Sequence, residues 1–303
     1  MSGMYTFNNI YLKRRNMQKQ NIAVLLTCHN RKIKTIDCLS SFFKATIPTE
    51  YELDMFLTDD GSSDGTGEAV KSLFPQVKVL KGDGNLFWAG GMRLAWKTAM
   101  DEKSYDAYLL INDDVVLCPD FFVHLLETEA YSLAHTGKRG IYSGATTDDE
   151  GRVSYGGSVI KKNHFIMTAQ KLEPASQPQR CEFTNANVLW ISADVVDEIG
   201  IFSEKYTHAI ADFDYSLQAV KKQIPVWLAP HVCGVCNYDH GKKWKDSAVP
   251  LKERIAWMKS PKGLAYNEYM YYIRKHFPMY LPYSFFLMWM KVFFPFIWER
   301  FKK

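Results

Sequence analysis

The sequence predicts an α/β protein. Its central sheet is mostly parallel and flanked by helices, and a helical, aromatic-rich extension follows at the C-terminus. Three observations carry this prediction. Short apolar runs of strand length (Ile22–Thr27, Leu53–Thr58, Val77–Leu80, Ala107–Ile111) alternate with helical segments at 25 to 30 residues per unit, the pattern of βαβ units. The first and fourth runs are continuously apolar, as in strands buried on both faces. Polar clusters follow the first, second and fourth runs directly, at the strand ends where such sheets bind ligands.

Each element has its own signal. Residues 1–20 are polar, basic and without period, which predicts a flexible lead-in. Ile33, Ile36, Leu39 and Phe43 stand near helical spacing and predict a helix over 32–45. Asp59–Gly65 reads as a loop, 66–73 as a short helix, and Gly90–Met100 as a helix. After Pro119 an amphipathic helix runs to about His135. The second half is less regular. Gly140–Lys162 carries short β signals, 170–180 is a Pro/Gln/Ser loop and Phe183–Ile191 resembles a strand. Asp194–Ile199 and Asp212–Lys222 read as helices, and Val226–Ala229 as a short strand. No internal repeat is visible. The expected organisation is a lead-in at 1–20, a body at 21–240 with halves meeting near 118/119, and an extension at 241–303.

The extension differs in kind. Tyr266, Tyr269, Tyr271, Tyr272 and Phe277 crowd one stretch beside Arg274 and Lys275. Tyr280–Trp298 is then almost wholly apolar, broken by Pro282, Pro295 and Lys291. A membrane-spanning helix needs ~20 apolar residues. The prolines and the lysine favour instead a helix lying in a membrane interface between basic flanks. A core helix packed on the body is the plainer alternative, and a true span the third.

Charge sharpens this division. The 303 residues hold 37 Lys and Arg against 33 Asp and Glu, a net +4. Residues 241–303 alone hold 13 basic and 4 acidic side chains, and residues 1–20 hold four basic and none acidic. The remaining body is therefore acidic, at −9. A nucleic-acid binder would spread basic charge over its folded domain, so no nucleic acid is expected as a partner. Hydrophobic content of 47% and charged content of 23% exclude disorder, collagen and coiled coil. Six cysteines are too dilute for a disulfide scaffold. No signal peptide precedes the first apolar run, so reduced thiols in a cytoplasmic setting are expected.

Five clusters could carry chemistry. Asp113-Asp114 follow the buried run Tyr108–Ile111, and two adjacent carboxylates there are costly without a cation. A hard divalent ion bridging to a diphosphate would compensate them; a turn or helix-capping pair is the structural alternative. Asp59-Asp60-Gly-Ser-Ser-Asp-Gly-Thr66 is a turn signature whose carboxylates could also accept from a nucleobase N–H or a ribose hydroxyl. Gly82–Gly91 fails the dinucleotide fingerprint because Phe87 holds its last glycine position. Gly90-Gly91 still allow an anion close to a helix N-terminus, with Arg93 one turn in. Asp212-Phe-Asp214 open a helix, either as dipole-complementing caps or as the seat of a general base. His231, Cys233, Cys236 and His240 offer four zinc ligands at compressed spacing, and buried free cysteines in a strand are the simpler reading.

Taken in order, Thr27-Cys28-His29-Asn30-Arg31, Asp59–Thr66, Gly84-Asn85 with Gly90-Gly91, Asn112-Asp113-Asp114, Ala211–Tyr215 and His240 resemble the family 2 glycosyltransferases of the GT-A, Rossmann-like fold. The likeness is strongest to the bacterial branch similar to rhamnosyl- and galactosyl-type transferases of surface polysaccharide synthesis. It covers about residues 21–240, and Tyr271–Phe277 also resembles that branch's C-terminal segment.

The resemblance implies roles. Thr27, Cys28 and Asp60 match positions that hold the nucleotide base and ribose, with Asn30, Asp59, Asn85, Gly91, Arg93 and Asp113 expected beside them on the donor. Asp114 matches the carboxylate that ligates Mn2+ or Mg2+, and His240 a histidine that can complete the metal shell. Asp212 matches the base that deprotonates the acceptor hydroxyl. Two positions depart from the family pattern: Ala211 stands where Glu is frequent, and Asn112-Asp113-Asp114 replaces Asp-x-Asp. The implied reaction is metal-assisted transfer of a hexose from a UDP- or dTDP-sugar to a glycan or lipid-linked saccharide, in one inverting displacement. The implied location is the inner face of the plasma membrane, held peripherally by the extension. A metal-dependent nucleotidyltransferase is the competing enzyme reading. It would need a basic glycine-rich loop after the first strand, where only Arg31 stands. A catalytically inactive nucleotide-sugar-binding membrane protein is the third.

Overall fold

The computed structural model describes residues 19–162, 167–238 and 246–300. In chain order the strands are β1 (Gln20–Cys28), β2 (Tyr51–Asp59), β3 (Val77–Lys81), β4 (Ala107–Ile111), β5 (Val116–Leu117), β6 (Ile141–Thr147), β7 (Val153–Tyr155), β8 (Gly157–Lys162), β9 (Met167–Lys171), β10 (Gln179–Arg180), β11 (Phe183–Thr184), β12 (Val188–Ser192) and β13 (Val226–Val235). The helices are α1 (Lys32–Phe42), α2 (Thr66–Leu73), α3 (Phe87–Glu102), α4 (Phe121–Thr136), α5 (Ala193–Ile199), α6 (Ala211–Lys221), α7 (Leu251–Lys259), α8 (Tyr266–His276), α9 (Leu281–Phe293) and α10 (Pro295–Arg300).

The main sheet runs β10-β13-β6-β12-β4-β1-β2-β3, with β5 and β7 pairing off this path; β11-β8-β9 form a second, small sheet. β1 pairs in parallel with β2 and β4, β2 with β3, and β6 with β13. β12 is antiparallel to both β4 and β6 and joins the two parallel halves. The fold is a mostly parallel sheet flanked by helices with a helical C-terminal segment, the architecture expected from the sequence.

Both faces of the sheet are buried, as the continuous apolar strands require. Ala23, Leu25, Phe56 and Leu110 pack on one side with Trp96. Ile22, Val24, Leu26 and Leu57 pack on the other with Phe121 and Trp190. The first of these cores also takes in Tyr272, Ile273 and Phe277, so α8 is folded into the body. A separate small cluster of Met258, Met288 and Val292 holds α7 to α9.

Four elements differ from expectation for physical reasons. Helix α1 turns Thr35, Cys38, Leu39 and Phe42 inward, while Ile33 is 77% exposed. Two of its inward positions are polar, so counting apolar residues mistook its face. The expected strand 183–191 is two strands, separated by Asn185-Ala186-Asn187. Strand β13 runs through to Val235 because a register shift between Leu228 and Val232 absorbs Pro230 and His231, which read as a strand end. The apolar run from Tyr280 is also divided: α9 spans 13 residues and α10 restarts at Pro295. Among the described residues no helix is long and apolar enough to cross a membrane.

Candidate active site

Strands β1, β2 and β4 deliver three polar clusters to one edge of the sheet. Beyond β1, Asn30 adopts φ 52° and its carboxamide oxygen accepts the Ser63 N–H at 2.7 Å, while Ser62 Oγ accepts the Asn30 N–H. Beyond β2, Asp59 accepts the Ser62 N–H at 2.9 Å. Asp60 is almost fully buried, and its carboxylate accepts the Gly84 N–H at 2.8 Å and the Phe87 N–H at 2.9 Å. Asp60 therefore pins the loop that starts α3. The exposed Asn85 sits on that loop.

The glycines lie deeper than expected. Helix α3 begins at Phe87, so Gly90 and Gly91 fall inside its first turns and are buried. A Cβ on Gly91 would stand 2.1 Å from Thr27 Oγ1, so glycine there lets α3 close against β1. Gly91→Ala is expected to cost about 1–3 kcal/mol of stability and to weaken nucleotide binding, read as a lower melting temperature and by calorimetry. Arg93 does not face the donor side. Its guanidinium donates to the Ser203 and Tyr206 carbonyls at 3.0 and 2.8 Å. Cys28 is buried, and that burial, with Asp113 nearby, pushes its thiol pKa up.

Asp113 and Asp114 follow β4. Arg31 Nη1 reaches Asp114 Oδ2 at 2.6 Å and Asp113 Oδ1 at 3.4 Å, and Thr35 Oγ1 donates to Asp113 Oδ2 at 3.2 Å. Burial pushes the Asp113 carboxyl up to about 7; Arg31 opposes that shift and Asp114 reinforces it. One guanidinium thus faces two adjacent, nearly buried carboxylates. Beside them the Trp88 indole donates to Asn112 Oδ1 at 2.8 Å, and the Cys236 thiol donates to Asp114 Oδ1 at 3.6 Å.

Asp212 approaches from the other half of the body. It sits in the first turn of α6, half-buried, with its carboxylate accepting the N–H groups of Phe213 at 2.9 Å and Ala186 at 3.1 Å. Burial raises its pKa to about 6, and those backbone N–H groups limit the rise. The break between β11 and β12 makes the link: Ala186 holds Asp212, and the next residue, Asn187, accepts the Asn112 N–H at 3.0 Å. Two consecutive residues thus join the base candidate to the strand end that precedes the carboxylate pair.

Residues 23–157 match the family model for glycosyl transferase family 2. Over that stretch the chain is similar to the family 2 glycosyltransferases. No curated protein matches the chain. The solved structures similar to it include these three. The mannosyltransferase PcManGT from Pyrobaculum calidifontis, in complex with GDP-Man and Mn2+, is 13% identical over 79% of this chain and 64% of its own, at a TM-score of 0.49. S. aureus TarS 1-349 is 16% identical over 72% and 60%, also at 0.49. GalNAc-T7 with UDP, GalNAc and Mn2+ is 14% identical over 73% and 44%, at 0.51. The last likeness is one of fold, and the chain spans less than two thirds of each of these proteins.

The stretch matched to the glycosyltransferase family contains the donor-side clusters and Asp113-Asp114, while Asp212 lies beyond it. The donor set at the carboxylate pair suits a hard divalent ion, which binds through one or two carboxylates and completes its shell with phosphate oxygens and water. Among the described residues no group of three His, Cys, Asp or Glu side chains gathers at one point, and His240 lies outside the described residues. Of the zinc candidates, Cys233 is buried against Gly144, Cys236 sits beside Asp114, and His231 is exposed with its ring against His124. All six cysteines are free thiols.

Sequence reasoning missed several residues of the candidate site. Trp88 and Thr35 bond the donor-side strand ends, and the Ala186 and Asn187 backbone bridges the halves. The Asn-Ala-Asn interruption at 185–187 was the available signal, since a strand rarely tolerates it. Asp214 also proves unlike Asp212. It is 1% exposed and accepts bonds from Tyr206, Gln218, Lys275 and His276, away from the carboxylate pair.

Proposed function

We propose that this protein is an inverting glycosyltransferase of the rhamnosyl/galactosyl-like branch. It moves a hexose from a UDP- or dTDP-sugar to a hydroxyl of a lipid-linked glycan during polysaccharide synthesis. The observation that carries this reading is the joining of Asp212, through Ala186 and Asn187, to Asn112, the residue before Asp113-Asp114. A poor nucleophile and a poor leaving group both need help within one cleft, and the two ends of that link supply it. Asp212 takes the proton of the acceptor hydroxyl, and a carboxylate whose pKa is raised toward neutrality is the stronger base. The acceptor oxygen then bonds to the anomeric carbon as the bond to the nucleotide diphosphate breaks. Asp113 and Asp114 would hold Mn2+ or Mg2+ against that diphosphate, where the ion stabilises the departing charge as a Lewis acid. Arg31, within reach of both carboxylates, keeps their combined charge tolerable. Thr27, Cys28, Asn30, Asp59 and Asp60 frame the nucleotide end.

One base candidate, Asp212, beside a carboxylate pair assigned to the metal supports one displacement, hence inversion, over the paired-carboxylate chemistry of glycosidases. The test is a panel of nucleotide sugars with Mn2+, read by nucleotide diphosphate release and by the anomeric configuration of the product. Transfer with inversion is expected; a retained configuration overturns the reading.

The same proposal places the protein on an anionic membrane through its C-terminal helices. Met279 is 88% exposed, Phe286 60%, Phe296 57% and Phe285 52%, exposed apolar side chains on a segment that also carries Lys291 and Arg300. Each basic residue near such a membrane adds ~1 kcal/mol. Deleting residues 280–303 is expected to release the protein from vesicles containing anionic lipid. A truncated form that still sediments with them overturns this part.

A further inference from the structure

Helix α8 grips the segment that carries Asp212 at two separate points. The first is Thr207, in the loop before α6. The Glu268 carboxylate accepts the Thr207 N–H at 3.0 Å and also the Thr207 hydroxyl. The same loop is held from the opposite side, because the Thr207 carbonyl accepts the Ala89 N–H at 3.1 Å and Arg93 donates to the Ser203 and Tyr206 carbonyls. The second point is Asp214, two residues beyond the base. Its Oδ1 lies 2.7 Å from His276 Nε2 and 2.8 Å from Lys275 Nζ, and accepts the Tyr206 hydroxyl at 2.9 Å. Burial would raise the Asp214 pKa, but bonds from His276 and Lys275 outweigh it and hold the carboxyl below the usual range. Asp214 and His276 side chains are 1% and 0% exposed, so the pair is fixed in the interior. Between the two grips, Ile210 precedes the helix at φ 76°, a conformation costly for a β-branched residue. A strained turn of this kind persists when its surroundings over-determine it, and here α8 supplies both restraints.

We propose that Glu268, Lys275 and His276 are positioning residues for sugar transfer: α8 of the C-terminal extension sets the angle at which Asp212 meets the acceptor hydroxyl. This rests on the reading of Asp212 as the base. The extension is then part of the catalytic apparatus, and its second helix acts on the reacting carboxylate from outside the segment matched to the family.

Misplacing a base by about 1 Å costs about 100-fold in rate, so losing one of two grips is expected to lower kcat between about tenfold and that limit. The test compares His276→Leu, Lys275→Met and Glu268→Met with His276→Gln, whose amide can still donate to Asp214. Expected is a fall in kcat for the first three, an unchanged KM for the nucleotide sugar, and recovery in His276→Gln. A merely structural role would move donor KM and melting temperature with kcat, and would not be rescued by an amide. Nucleotide diphosphate binding by calorimetry checks that each variant is folded; should His276→Leu not fold, the partly exposed Lys275 and Glu268 decide the matter. Asp212→Asn is measured in parallel. Turnover surviving in Asp212→Asn overturns the base reading. An inactive Asp212→Asn beside folded Lys275→Met and Glu268→Met with full kcat overturns the positioning role alone.

Discussion

Asp212→Asn is expected to lower kcat by about 10²–10⁴-fold, the range of a lost general base, with nucleotide diphosphate binding intact. The asparagine oxygen can still accept the Ala186 N–H, so the link to Asn187 and the strand end survives the change. What is lost is the ability to take a proton. The pH profile makes the test sharper. Asp212 must be ionised to act, and burial places its pKa at about 6. Activity should therefore fall as pH drops through about 6 and level off above it. Stability runs the other way. The folded-state pKa lies above the unfolded one, so this carboxyl favours the fold below the unfolded pKa, and that contribution is lost as pH rises through about 6. Asp212→Asn should then raise the melting temperature more at pH 8 than at pH 5. Undiminished transfer by the variant, or an unaltered acid limb in the wild type's rate, sinks the assignment.

Asp114→Asn is expected to abolish the gain in nucleotide diphosphate affinity that Mn2+ confers, and to lower kcat/KM by about 100-fold or more, since a metal contributes several kcal/mol to such a transition state. The geometry explains why so small a change matters. Asp114 lies 2.6 Å from Arg31 and beside Asp113, whose carboxyl burial pushes up to about 7. Removing one carboxylate leaves Arg31 to neutralise the other almost completely, and the reason to admit a divalent ion disappears. Calorimetry of UDP with and without Mn2+ reads this directly. A variant that keeps the wild-type dependence on Mn2+ refutes the placement of the metal.

Much of the fold was legible because burial on both faces leaves a plain signature. Ile22–Thr27 and Ala107–Ile111 are apolar throughout and occupy the middle of the sheet. The clusters after β1, β2 and β4 were legible for a related reason, since polar residues at buried strand ends demand a purpose. What escaped lies where the site itself interrupts regular patterns. Thr35 and Cys38 face inward from α1 because they bond Asp113 and the Asn112 carbonyl, so the helix hides its buried face. Asn185-Ala186-Asn187 cut a strand in two to reach Asp212 and Asn112. Arg93 looked like an anion ligand by spacing, but only the tertiary fold brings the Ser203 and Tyr206 carbonyls to it. Asp212 and Asp214 are two residues apart and chemically alike in sequence. Their neighbours send one up to about 6 and the other below its ordinary value.

The buried thiols have a practical consequence. Burial pushes the pKa of all six cysteines upward, that of Cys236 to about 12, and only Cys118 is more than slightly exposed. Thiolate, not thiol, attacks an alkylating reagent. The folded protein should therefore be nearly silent toward maleimides at neutral pH. A single cysteine placed at Met279 or Phe286 would react alone, and a fluorophore there would report when that surface leaves water, with every native thiol in place.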